Sequence, residues 1–138
     1  MEKRFTDIVS FVKESKKFSA GNNIVLELWP LRKKEIDELK IFFNIDFSDY
    51  VRSIDDASVR HALKHKNLTI EDFLLIDVIT VDYDFVCYDV DQKKIIYSKK
   101  ITDKRRTNNG ERNFYYVEYI QTGKKRMAMK TMYKSKIL

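Results

Sequence analysis

The chain has 138 residues, 43% of them hydrophobic, with nine Phe and eight Tyr but only three Gly and one Pro. That is the length of one ordinary domain, too rich in large apolar side chains to be disordered and too poor in Gly and Pro for long flexible linkers. The single cysteine excludes an intrachain disulfide scaffold, and no stretch approaches the roughly 20 apolar residues of a membrane span. The N-terminus mixes charges of both signs where a signal peptide would carry a continuous apolar core.

The formal charge of +6 is unevenly distributed. Residues 1–91 hold 13 Lys/Arg against 18 Asp/Glu, and residues 92–138 hold 14 against 3, so the first segment is −5 and the second +11. Such segregation is the electrostatic footprint of a surface for a polyanion, and equally of one for an acidic protein.

In chain order, Phe5, Ile8, Val9, Phe11, Val12 and Phe18 recur at helical spacing, and Gly21 follows where a helix would stop. IVLELW predicts a short strand ended by Pro30, and LRKKEIDELKIFF a second helix with Ile36, Leu39, Phe42 and Phe43 on one stripe. NIDFSDYVR reads as a connection. Ser53, followed three residues later by Asp56, predicts the start of a third helix through Asn67, and Thr69 with Asp72 a short helical turn through Phe73 and Leu74.

From there the period becomes alternating. Four strands are expected at about 79–89, with a possible break at 82–84, then 93–101, 113–121 and 125–134, joined as a meander by DVDQ, DKRRTNNGER and QTGK. Cys87, inside the apolar run DFVCYDV, reads as buried and inert. Helices first and consecutive strands after predict an α+β fold, with N-terminal helices packed on one face of a four- to five-stranded, mostly antiparallel sheet and the other face free. The whole chain reads as a single domain, with residues 1–44 an N-terminal helical extension containing a short strand.

In the third helix Val59, Ala62 and Leu63 form the core stripe, while His61 and His65 share another face. They are either solvated surface histidines or an acid/base site. A metal site is not expected, because HALKH lacks the Glu of HExxH and the chain has no further histidine. No Gly-rich phosphate loop or nucleophile elbow is present, and no cofactor is implied.

Metal-free RNA cleavage needs a base for the 2′-OH proton, an acid for the leaving oxygen and cations for the charged phosphorane. His61 suits either proton-transfer role, and Lys99, Lys100, Lys130 and Lys134 are candidate phosphate ligands. Glu118, the lone acidic residue of the strands after position 92, is either a structural counter-ion or a second acid/base. The tyrosines at 97, 115, 116, 119 and 133 recur along the strands, where rings beside lysines can stack on bases. Lys104, Arg105, Arg106 and Arg112 either clamp a phosphate backbone or form a solvated turn.

The order of IDFSDY, SVRHALKHKN, LTIEDF, IIYSKK, FYYVEYI and KTMYK, over about residues 45–134, resembles the phage-associated barnase/EndoU/colicin/RelE-like (BECR) nuclease domains of Mu-like head proteins and related mobile elements. The resemblance implies a nuclease core over 45–138 and a metal-independent endoribonuclease. By position it carries His61 from an Arg-His motif, Lys99 from Tyr-x-Lys, Glu118 from Val-Glu, and Thr131 and Tyr133 from Thr-Met-Tyr. Arg60, His65, Lys100, Arg105, Arg106, Lys130 and Lys134 are the accompanying RNA-binding candidates. The second histidine departs from the pattern, standing one position early with Lys66 and Asn67 after it. Expected partners are RNA, such as tRNA or ribosomal RNA, and an acidic immunity protein. The expected setting is a bacterial host's cytoplasm, with delivery from a phage particle one route to it. The alternative is an inactive RNA-binding or virion-associated module of the same fold. A shared site requires His61, Lys99 and Thr131 to converge on one phosphate.

Overall fold

The computed structural model describes residues 7–17, 24–65, 68–102 and 111–136. Helix α1 (Ile8–Ser15) starts where the Asp7 carboxylate accepts the Ser10 amide at 2.8 Å, satisfying one of the helix's unpaired first-turn donors. It buries Phe11 and Val12 completely. Strand β1 (Val25–Pro30) and helix α2 (Lys33–Phe43) follow. Helix α2 begins with the Glu35 carboxylate accepting the Arg32 amide at 3.0 Å and ends at Asn44, a residue tolerant of its left-handed φ of 58°. Leu39 enters the core, but Phe42, expected on the same stripe, is 54% exposed. At 100° per residue Phe42 lies about 120° around the helix from Ile36, whereas Ile36 and Phe43 pack against the core as expected.

Two expected boundaries move. The last two residues of the predicted 44–52 connection and the start of the predicted third helix are in fact strand β2 (Val51–Asp55), so Ser53 is a buried strand residue. Helix α3 (Asp56–Leu63) starts later, with the Asp55 carboxylate accepting the Ser58 amide at 2.7 Å. Likewise, residues 79–81 belong to helix α4 (Ile76–Val81), which continues a 3-10 helix (Ile70–Leu75) beginning at the expected Thr69–Asp72 pair. Burial of Phe73, Ile76 and Ile79 overrides the strand preference of the β-branched run IDVITV.

Strands β3 (Phe85–Asp89), β4 (Lys94–Thr102), β5 (Glu111–Gln121) and β6 (Arg126–Lys136) form the expected antiparallel meander. The sheet has six strands, not four to five, in the order β1-β2-β6-β5-β4-β3, because β2 adds to β6 in parallel and β1 pairs with β2. The α+β class is as expected. No helix among the described residues is long and apolar enough to cross a membrane.

Register assigns the faces. Ile95 and Tyr97 on β4, Phe114, Tyr116 and Glu118 on β5, and Met127, Met129 and Met132 on β6 share the face on which Phe73, Ile76 and Ile79 pack. A bulge in the β5–β6 ladder makes this possible: Val117 pairs with Thr131 but Glu118 pairs with Met129, leaving Lys130 as the extra residue. With strict alternation Thr131 and Tyr133 would join Met127 and Met129 in the core. The bulge turns them to the opposite face.

Charge is buried in this core. Arg52 is fully buried between two carboxylates, donating from Nη2 to Glu118 Oε1 at 3.1 Å and from Nη1 to Glu35, with the Tyr97 hydroxyl 3.3 Å from Nη2. Burial pushes the Glu118 carboxyl above the usual range although Arg52 pulls it down. At Glu35 burial acts in the same upward direction, but Arg52 and the hydrogen bonds from Arg32 outweigh it and leave the carboxyl low.

Tyr83, Tyr97 and Tyr116 are perturbed upward. Burial raises Tyr97 and Tyr116 well above the ordinary phenol value, with Glu118 adding to it, and burial with Glu38 pushes Tyr83 up to about 12. A folded pKa above the unfolded one contributes stability that is complete below the unfolded value, about 10, and is lost as pH rises through the folded value. Urea midpoints should therefore fall steadily above about pH 10, with the phenolate absorbance of Tyr97 and Tyr116 appearing only on unfolding. Phenolate absorbance that titrates fully at pH 10 in folded protein would contradict this.

Candidate active site

Helix α3 packs against β6, with His61 in its last turn and His65 two residues past its end, short of the expected Asn67, where the His65 ring meets the sheet at Thr131 and Tyr133. Val59 and Ala62 are fully buried on the core stripe, leaving His61 exposed and His65 half-buried. The two rings are 5.9 Å apart, edge to face. His65 Nε2 lies 3.3 Å from Thr131 Oγ1, and its ring is 5.5 Å from that of Tyr133. Tyr133 in turn stacks on Tyr115 at 4.8 Å and 19°. One helix and two strands thus bring His61, His65, Thr131, Tyr133 and Tyr115 into one continuous set. Burial raises the Tyr133 hydroxyl above its ordinary value.

The open face continues across the sheet in register rows. One runs Tyr133, Tyr115, Ser98, Phe85, and the next Thr131, Val117, Ile96, Cys87. Cys87 is exposed here, not buried as its apolar surroundings suggested, because β3 is an edge strand and Cys87 points away from the helices. Lys130, displaced by the bulge, lies over the Tyr119 ring at 5.5 Å, and Lys100 is exposed beside Asn113. Among the described residues no three His, Cys, Asp or Glu side chains are grouped to hold a metal ion.

Other expected site residues lie elsewhere. Lys99 pairs with Phe114, so it points to the helix-covered face, where Nζ donates to the Asp82 carbonyl at 2.7 Å and its carboxylate at 3.1 Å. Lys134, also opposite Phe114, has a side chain only 2% exposed that bonds to the buried Asp72 at 3.0 Å. Glu118 is the counter-ion of Arg52 in the core. The expected convergence of His61, Lys99 and Thr131 on one phosphate is not met, because strand parity sends Lys99 through the sheet. Arg60 donates to Asp56 at 2.8 Å and to the Ser15 carbonyl at 3.3 Å, tying α3 to α1. Arg112 is buried, and Lys104, Arg105 and Arg106 lie outside the described residues.

The family model for the phage-Barnase-EndoU-ColicinE5/D-RelE like nuclease 3, PBECR3, matches residues 31–137. The chain belongs to this nuclease family. The PBECR3 match starts at Leu31 and so takes in α2, which the motif resemblance did not reach. It contains both histidines, the bulge and the whole meander. No curated protein and no solved structure matches the chain.

Proposed function

We propose that this PBECR3 domain is a metal-independent endoribonuclease whose proton transfers are made by His61 and His65. The reading is carried by the seating of His65 between Thr131 Oγ1 and the Tyr133 ring with the exposed His61 ring 5.9 Å away, on the sheet face opposite the buried Arg52–Glu118 pair. Imidazole is the side chain best suited to give and take protons at neutral pH, and a pair supplies both roles in one site.

In this mechanism one imidazole accepts the proton of the ribose 2′-OH as that oxygen attacks the adjacent phosphorus. The other donates a proton to the departing 5′-oxygen as its bond to phosphorus breaks. The products are a 2′,3′-cyclic phosphate and a free 5′-hydroxyl. Thr131 fixes the orientation of the His65 ring, and Lys130, next to Thr131 in the bulge, is the cation in place to balance charge on the phosphorane. Lys100 and Lys130, on this face of the sheet, draw the polyanion to it.

Incubation with total tRNA and ribosomal RNA in EDTA tests the proposal. Discrete cleavage products are expected at the same rate with and without chelator. Absence of cutting on every RNA, combined with salt-sensitive binding, would favour an inactive RNA-binding module. Cutting that EDTA abolishes would sink the metal-free mechanism.

A further inference from the structure

The row that ends at His65 has a gap in it. Tyr133 and Tyr115, on neighbouring strands, stack at 4.8 Å and 19°, which is one strand spacing. The next position in the row is Ser98, and beyond it stands Phe85, 76% exposed on the edge strand. The backbones of Tyr115 and Phe85 are therefore two strand spacings apart, about 9.5 Å, with Ser98 the residue between them in the row. A planar ring inserted over Ser98 would lie roughly 4.8 Å from each wall, within the 4.5–7 Å range of stacked aromatics.

Resting on the RNA reading above, we propose that Tyr115, Ser98 and Phe85 form a slot for one unpaired nucleobase, making single-stranded RNA the substrate class. A base in the slot extends the existing stack to four members in line with His65, so the slot holds the strand on the same face as the two histidines. The occupant is a base and not an apolar peptide side chain because Lys100 lies in the adjoining row and Lys130 two rows away, in place for the flanking phosphates. A base within a duplex cannot enter, since its faces are already stacked on its neighbours.

The test uses a short single-stranded 2′-O-methyl oligoribonucleotide carrying 2-aminopurine, which lacks the 2′-OH nucleophile and so reports binding alone. Wild-type protein is expected to quench the 2-aminopurine at one or two positions and to bind the matching duplex more weakly. Phe85→Ala and Ser98→Leu, the second filling the slot, should each weaken single-strand binding about 5- to 100-fold and relieve the quenching. Phe85 is exposed enough for its replacement to leave the fold intact, which circular dichroism checks. Wild-type affinity and quenching in both variants, or no quenching by wild type, would overturn the slot. If the probe stacks but natural RNA is never cut, the slot stands and the nuclease reading fails. If RNA is cut and both variants behave as wild type, the reverse holds.

Discussion

Replacing either His61 or His65 with alanine should lower the rate of RNA cleavage about 100- to 10,000-fold, the range expected when a general acid or base is removed. The double variant should be little worse than either single one, because two groups acting in one concerted proton relay are not additive. His61 is exposed, so its loss should leave thermal stability unchanged. His65 packs on Thr131 and Tyr133, and a modest stability cost there is compatible with the site. Two controls separate chemistry from folding: RNA binding should survive in both variants, and Lys99→Ala, on the far face of the sheet, should cut RNA at close to the wild-type rate. A His61→Ala variant as active as wild type would remove the proposed mechanism.

The second large effect is on stability. Arg52→Ala or Arg52→Met should destabilise the fold by about 3–5 kcal/mol, because Glu118 and Glu35 would be left as facing carboxylates without their shared cation. Much of the loss should return when Glu118 is also replaced by methionine, since a buried pair exchanged for apolar side chains of similar size is often neutral. Urea denaturation of the single and double variants gives both numbers. A loss under about 1 kcal/mol for the single variant would mean that the carboxylates escape to water or protonate without cost.

Much of the fold was legible because its signals are local. The Thr69–Asp72 start, the four-strand meander and the core stripe of α3 each depend on residues within a few positions of one another. Strand β2 was not legible, since its second residue is an arginine, and an arginine reads as buried only once Glu118, 66 positions away, is known to meet it. The same non-local pairing hid the role of Glu118. The site divided along similar lines. The two histidines stood out from helical spacing alone, but strand parity decides everything else, and parity depends on one extra residue in β6. The bulge at Lys130 has no sequence mark; it carries Thr131 and Tyr133 to the histidines, while parity on the neighbouring strands takes Lys99 and Glu118 away. Spacing within IIYSKK and KTMYK gave equal claims to residues that end on opposite faces of the sheet.

The most direct test of two histidines cutting RNA on the open face is the chemistry of the cut ends. A defined single-stranded RNA is digested in EDTA and its products weighed by mass spectrometry, alongside the same RNA carrying a 2′-deoxy nucleotide on the 5′ side of the mapped cut. The expected result is a 2′,3′-cyclic phosphate on one fragment, a 5′-hydroxyl on the other, and an intact 2′-deoxy substrate. A 3′-hydroxyl with a 5′-phosphate, or efficient cutting at the 2′-deoxy position, would contradict the mechanism.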